Sequence, residues 1–159
     1  MTEHRSRVTF SRSMPVDFPP DRVFPLMCPV IEEDWIDVWE ATVHYTESGV
    51  AEMGCVFSTD LPGKGREVWI VTRYDAPNRI EFSRTAGTTR ACHLVVLVQD
   101  APVGGSLVTF TYTYTGMDDE GDRWVEAYRP EQFAREMDAM HARLVHYLET
   151  GEALVAAHA

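Results

Sequence analysis

The sequence predicts an α+β fold in which a curved antiparallel sheet of about six to seven strands wraps around one long C-terminal helix. Strand-like segments joined by short turns follow one another from about residue 39 to residue 115, which is typical of an antiparallel meander. A single long amphipathic segment, residues 130–150, comes after them. Because one helix cannot cover a flat sheet of that size, we expect the sheet to curl and to leave a hollow against the helix. A hollow lined by aromatic side chains suits a small apolar molecule.

The N-terminal part of the chain predicts one strand and two short helices. Residues 7–14 alternate between apolar and polar types, as in a half-buried strand, and Pro15 is expected to end it. Pro20 opens a short helix, because proline is tolerated in a first helical turn. A second helical turn is expected at residues 32–38, where it carries Trp35.

Six further strands are predicted between the short helices and the long one. They are expected at residues 39–45, 53–59, 67–74, 79–85, 91–99 and 107–115. In the first of these, two-residue periodicity places Trp39, Val43 and Tyr45 on one face. In the last, an aromatic face opposes a ladder of threonines.

The long helix is predicted from an apolar stripe with a period of 3.6 residues. The stripe contains Phe133, Met137, Met140, His141, Leu144 and Leu148. Pro130 is suited to the first turn of this helix, and Gly151 is expected to end it. Residues 152–159 are expected to form a frayed tail.

Length and composition indicate one domain spanning residues 1–159. The net charge of −11 argues against nucleic acid as a partner, since nucleic-acid binding needs a basic face. The longest purely apolar run, residues 94–98, is far too short for membrane insertion, and the N-terminus does not resemble a signal peptide. Three cysteines without CxxC spacing favour reduced thiols and a cytoplasmic location. The sequence is also compatible with a homodimer.

Motifs for metals, phosphates and nucleophiles are missing from the sequence. There is no GxxxxGK[ST], GxGxxG or GxSxG pattern, and no pair of His or Cys residues has metal-ligand spacing. The acidic segment 118–122 lacks the ligand spacing of a calcium loop and is interpreted as a solvated loop. We therefore expect neither a metal nor a cofactor.

Element order and several short stretches together resemble the helix-grip fold of the START/Bet v 1-like (SRPBCC) superfamily. The stretches are Cys28-Pro29 with Glu32 and Trp35, Trp39-Glu40, residues 54–59, 68–75 and 111–115, and the closing residues 147–151. They are similar to a bacterial subgroup of that superfamily without an assigned biochemical role. The resemblance implies that the first strand pairs with the last and that a pocket lies between the long helix and the concave face of the sheet.

The candidate ligand-binding residues are the aromatic and helix-stripe side chains expected to face this pocket. They are Trp35, Trp39, Tyr45, Phe57, Phe82, His93, Phe110, Tyr112, Tyr114, Phe133, Met137, Met140, His141 and Leu144. The alternative interpretation is that these side chains simply fill the core.

Three residues are candidates for catalysis. His141 interrupts an apolar stripe and could act as a general base, or be a core histidine bonded to a tyrosine or a carbonyl. Glu32 would have a raised pKa if it were held in an apolar hollow. Tyr112 could orient a ligand or move a proton, or it could be packing.

Three functions remain as hypotheses. The first is a binding protein for a small hydrophobic molecule, aromatic or lipid-like. The second is an enzyme similar to the polyketide cyclases and dehydratases of the superfamily, using general acid–base residues and no cofactor. The third is a protein-interaction module similar to the superfamily's chaperone activators, with a filled cavity.

Overall fold

The computed structural model describes residues 4–155, and its elements follow the predicted order with one helix added. The strands are β1 (Arg7–Val16), β2 (Ala41–Tyr45), β3 (Val56–Leu61), β4 (Gly65–Asp75), β5 (Arg79–Ala86), β6 (Arg90–Asp100) and β7 (Ser106–Gly116). The helices are α1 (Pro20–Val23), α2 (Pro29–Trp35), α3 (Asp119–Ala127) and α4 (Pro130–Thr150), with a 3-10 turn at Phe24–Met27. The predicted α+β fold class is confirmed.

All seven strands form one antiparallel sheet in the order β1-β7-β6-β5-β4-β3-β2. Consecutive strands from β2 to β7 are neighbours, as expected for a meander, and β1 returns to pair with β7. In that last pair Phe10 lies opposite Tyr112. The pairing of the first strand with the last, which the resemblance implied, is therefore present.

Helix α4 has the predicted bounds and lies against the concave face of the sheet. Its buried residues, Phe133, Met137, Leu144 and Leu148, belong to the predicted stripe. Pro130 occupies the first turn, and Gly151, with φ of 73°, closes the last turn by donating its N–H to the carbonyl of Tyr147 at 2.7 Å. Local sequence signals thus suffice for both ends of this helix.

Helix α3 was not expected, and it corrects the interpretation of residues 118–122 as a solvated loop. Asp118 is the N-cap of this helix, and its carboxylate accepts a hydrogen bond from the N–H of Gly121 at 2.8 Å. The acids that follow, Asp119, Glu120 and Asp122, lie in the first turn, where the helix dipole favours negative charge. The acidic run is therefore a helix start.

The prediction for β2 is corrected at its inward face. Tyr45 is 52% exposed, because the register shifts between Val43 and Tyr45. Val43 lies opposite the buried Phe57, whereas Tyr45 lies opposite Val56, the next residue along β3. A bulge of one residue moves all later side chains to the other face of a strand.

Other differences are small. Pro15 lies within β1 rather than ending it, which an edge strand tolerates. The predicted frayed tail lies partly outside the described residues, and its described part, residues 152–155, has no regular structure. Among residues 4–155, no helix carries an apolar stretch as long as a bilayer crossing requires.

Candidate functional site: a cavity between sheet and helix

A cavity of about 370 Å³ lies between the concave face of the sheet and α4. Its apolar and aromatic wall consists of Met27, Ile36, Val38, Trp39, Phe57, Leu61, Pro62, Trp69, Phe82, Leu94, Val96, Phe110, Tyr112, Tyr114, Tyr128, Phe133, Met137, Ala139 and Met140. The acidic and basic side chains in the wall are Glu32, Lys64, Arg84, Glu136 and Arg143. The volume is within the usual range of small-molecule sites.

Strand register brings the aromatic residues of the wall together. Directly opposite residues of an antiparallel pair point to the same face, so Phe57 and Trp69 lie side by side on β3 and β4. Their rings stack with centroids 5.2 Å apart, and the Phe82 ring meets Trp69 edge-on at 5.7 Å. The Trp69 N–H donates to the hydroxyl of Thr59 at 2.9 Å, which fixes the indole. The wall is therefore a packed and preformed surface.

Most of the predicted site residues lie in this wall. The cavity brings together Glu32, Trp39, Phe57, Phe82, Phe110, Tyr112, Tyr114, Phe133, Met137 and Met140. The other predicted members, Trp35, Tyr45, His93, His141 and Leu144, lie outside it.

Trp35 and Leu144 lie in the core beside the cavity rather than in its wall. Both side chains are fully buried. The Trp35 indole N–H donates to the carbonyl of Leu26 at 2.9 Å, so this ring fastens α2 to the 3-10 turn. Both residues therefore belong to the hydrophobic core and not to the wall of the cavity.

His93 is corrected from the inner to the outer face of β6. Its side chain is 51% exposed, and Nε2 lies 3.0 Å from a carboxylate oxygen of Glu81. The inward side chains of this strand are Cys92, Leu94, Val96 and Val98. Because β6 is apolar on both faces, two-residue periodicity alone cannot assign its inner side.

His141 is corrected from the cavity to the junction between α4 and β1. Its Nε2–H donates to the carbonyl of Pro15 at 2.8 Å. This position corresponds to the alternative in which the histidine bonds a backbone carbonyl. His141 therefore lies outside the group of ionisable side chains that could act on a bound molecule.

Glu32 reaches the cavity from α2 and has an unusual environment. Its carboxyl group makes no hydrogen bond or ion pair among residues 4–155. Burial in this largely apolar wall raises the pKa of Glu32 to about 8, because the charged form loses its solvation. At neutral pH the carboxyl group is therefore mainly protonated and can donate a hydrogen bond.

Tyr112 presents a second polar group to the same cavity. Its side chain is 7% exposed, and its hydroxyl has no hydrogen-bond partner within the described part of the chain. Burial raises the pKa of Tyr112 above its ordinary value, so the hydroxyl stays protonated. A protonated hydroxyl and a protonated carboxyl group therefore line one apolar cavity.

A group of buried charges, which the sequence analysis missed, occupies another part of the wall. Lys64 and Arg84 line the cavity, and the Arg84 guanidinium donates to the hydroxyl of Tyr114. Behind them, Glu67 lies 3.5 Å from Arg84 and 3.7 Å from Arg90. The two-residue period of a strand could have revealed this group. Glu67 falls on the same face of β4 as Trp69, and Arg84 falls on the same face of β5 as Phe82.

The mouth of the cavity lies where its wall reaches solvent. Val38, Pro62 and Ala139 line the cavity and remain exposed, so they mark the opening. Beside them, the Arg143 side chain on α4 forms an ion pair with Asp37, with Nε and Oδ1 2.8 Å apart. This pair joins α4 to the loop that follows α2.

Side chains of metal-binding types and thiols also lie in the described part of the chain. No group of three or more His, Cys, Asp or Glu side chains between residues 4 and 155 is arranged to hold a metal ion. Cys28, Cys55 and Cys92 are free thiols, and all three are buried.

Sequence comparison finds no protein-family profile that matches this chain and no curated protein that matches it. Solved structures do resemble it. Truncated norcoclaurine synthase from Thalictrum flavum has a TM-score of 0.68 at 10% identity, over 94% of this chain and 98% of that chain.

Two other solved structures give a similar result. An uncharacterised protein from Rhizobium leguminosarum has a TM-score of 0.64 at 15% identity, over 92% of this chain and 97% of that chain. Ara h 8.0201 has a TM-score of 0.63 at 14% identity, over 91% of this chain and 99% of that chain. At these identities the similarity establishes a common fold.

Proposed function

Because this chain has the helix-grip fold of the START/Bet v 1-like superfamily, we propose that it binds a small hydrophobic molecule, aromatic or lipid-like. The cavity of about 370 Å³ between the sheet and α4 carries the proposal. Its wall is mostly aromatic and aliphatic, so a bound molecule gains free energy from buried apolar surface, at roughly 25 cal/mol per Å². A few polar groups orient it.

The size and stiffness of the cavity favour a single compact ligand. Its volume is near the lower end of the roughly 300–1,000 Å³ typical of small-molecule sites. The stacked rings of Phe57 and Trp69 form a rigid floor, while Met137 and Met140 on α4 can adjust their shape. A cavity not filled by side chains supports binding over the interaction-module hypothesis, which expected a filled one.

A neutral fluorescent probe tests the proposal. N-phenyl-1-naphthylamine, which brightens in apolar surroundings, should bind the wild-type protein and raise its unfolding temperature. Ala139→Trp at the mouth should weaken that binding by about tenfold or more, because the indole fills the opening. Ala142→Trp, on the same helix but outside the cavity, is the matched control. Equal binding by all three proteins would overturn the proposal.

Catalysis on a bound substrate is the second candidate function, and one observation favours it. Glu32, with a pKa of about 8, and Tyr112 line the same cavity without hydrogen-bond partners among the described residues. A carboxyl group that titrates near neutrality can give and take a proton in one cycle. Proton transfer of this kind is what a cyclisation or dehydration needs.

Recovery of the natural ligand separates the two functions. Native mass spectrometry of protein freshly isolated from its source should reveal a co-purifying molecule. If that molecule returns unchanged after incubation with the protein, binding alone is supported. Conversion that Glu32→Gln abolishes, with probe binding retained, would support the enzyme.

A further inference from the structure

We propose that the ligand carries an oxyanion, such as a carboxylate, which binds at the Arg84 guanidinium beside Lys64. This inference rests on the proposed function, because it assigns a chemical class to the molecule in the same cavity.

The strand register places the basic side chains at one end of the concave face. One row across the sheet contains Ile80, Val96 and Phe110. The row four residues further along these strands contains Trp69, Arg84, Cys92 and Tyr114. On the sheet side, the wall therefore changes along its length from apolar to cationic, and a ligand that matches this side is amphipathic.

The basic side chains at this end are buried. Side-chain exposure is 11% for Lys64, 3% for Arg84 and 8% for Arg90. Lys64 Nζ lies 3.8 Å from the ring centroid of Tyr128, and the rings of Trp124 and Tyr114 surround it further out. Arg84 lies over the Trp69 ring, 4.4 Å from its centroid. Aromatic faces thus hold both cations in place.

Positive charge exceeds negative charge within this buried group. Against Lys64, Arg84 and Arg90 stand two carboxylates, Glu67 and Glu136, with Glu136 3.4 Å from Lys64. One positive charge is left without a counter-charge in the group, and buried charge is costly unless it is paired. An anionic ligand would supply the missing negative charge.

Hydrogen bonding in the group is also incomplete. Lys64 Nζ and Arg84 Nε are held only by the ion-pair contacts with Glu136 and Glu67, and neither they nor Arg90 Nε and Glu67 Oε1 make a well-formed hydrogen bond among the described residues. Glu67 does not line the cavity, whereas Arg84 and Lys64 do. The planar guanidinium suits a carboxylate, and charge-assisted hydrogen bonds of this kind are strong.

A matched pair of competitors tests the inference. 1-Naphthoate and 1-naphthamide have the same ring and nearly the same shape, and differ in charge. Each would displace N-phenyl-1-naphthylamine from the wild-type protein, and naphthoate should do so at roughly tenfold lower concentration. Lys64→Met should remove most of that advantage, since it keeps the side-chain length and loses the charge.

Two further variants make the test specific. Arg84→Lys keeps the positive charge but loses the planar guanidinium, so it should reduce the ratio between the naphthamide and naphthoate concentrations needed for displacement, whatever its effect on either one alone. Arg66→Met removes an exposed charge from the same part of β4, outside the cavity, and should leave the advantage intact.

The outcomes separate the two proposals. If the neutral probe binds but naphthoate has no advantage over naphthamide, the oxyanion inference is wrong and hydrophobic binding stands. If Lys64→Met and Arg66→Met reduced the advantage of naphthoate by the same factor, the oxyanion inference would also be wrong, because only long-range electrostatic attraction would then favour naphthoate. Failure of the probe to bind wild-type protein overturns both proposals.

Discussion

Arg143 on α4 and Asp37 on the loop after α2 form an ion pair across the mouth of the cavity. The two side chains are 18% and 17% exposed, and Arg143 itself lines the cavity. The pair therefore joins α4 to the loop after α2 at the wall of the cavity.

We expect Arg143→Met to speed the escape of a bound molecule. Loss of a partly buried pair of this kind costs about 1 kcal/mol, which corresponds to roughly fivefold in the dissociation rate of N-phenyl-1-naphthylamine. Stopped-flow displacement measures that rate. Arg135→Met, on the exposed side of the same helix, is the control. An unchanged rate would show that the pair does not control the mouth.

Replacing Glu32 with Gln should stabilise the protein at neutral and alkaline pH. The folded-state pKa of about 8 is raised by burial above the ordinary 4.5. Between these values the folded protein keeps a proton that the unfolded chain has released, so wild-type stability falls as pH rises. The variant lacks this loss, so its free energy of unfolding at pH 7 should exceed that of the wild type by about 3 kcal/mol.

Urea unfolding at about pH 5 and about pH 8 measures the effect on the free energy of unfolding. The difference between Glu32→Gln and wild type should grow across that interval. Glu40→Gln, at an exposed carboxylate nearby, should show no such growth. A constant difference would mean that the Glu32 carboxyl group is well solvated in the folded protein.

Gly121→Ala should destabilise the junction between α3 and the sheet. A Cβ atom at Gly121 would collide with the backbone carbonyl of Thr89, which already accepts a hydrogen bond from Met117 at 2.7 Å. Because backbone has to move, the cost is expected to reach about 3 kcal/mol, near the upper end for overpacking. Glu120→Ala, one residue earlier and exposed, should cost far less in thermal unfolding. If the two variants lost the same amount of stability, the predicted collision with the Thr89 carbonyl would be wrong.

His141→Leu should leave binding of the neutral probe unchanged and weaken the fold slightly. The substitution removes the hydrogen bond to the carbonyl of Pro15, at a cost of about 1 kcal/mol. Titration with N-phenyl-1-naphthylamine and urea unfolding of the same sample separate the two effects. A large loss of affinity would place His141 in the binding site.

Elements with one strongly apolar face could be predicted from the sequence. The stripe that includes Phe133 and Leu148, with Pro130 before it and Gly151 after it, locates α4 to the residue. Alternation on β7 likewise identifies Phe110 as an inward residue. In both elements one periodicity dominates, and tertiary contacts agree with it.

The orientation of some strand residues and the group of buried charges could not be predicted, because they depend on features that a single sequence does not display. The bulge at β2 turns Tyr45 outward without any glycine or proline to mark it. His93 lies on a strand that is apolar on both faces, so its phase is ambiguous. Glu67 and Arg84 are in phase with apolar neighbours, but only the folded sheet shows that they meet. Charged pairs between distant strands are visible only once register is known.

During synthesis of this chain, β1 is made long before β7, the strand with which it pairs. β1 can join the sheet only through β7, and Phe10 faces Tyr112 across more than a hundred residues of sequence. At roughly 5–20 residues per second, a ribosome takes about 5–20 s to make that interval. During this time β1 of the nascent chain has no strand to pair with, so its backbone hydrogen-bonding groups are exposed to other chains.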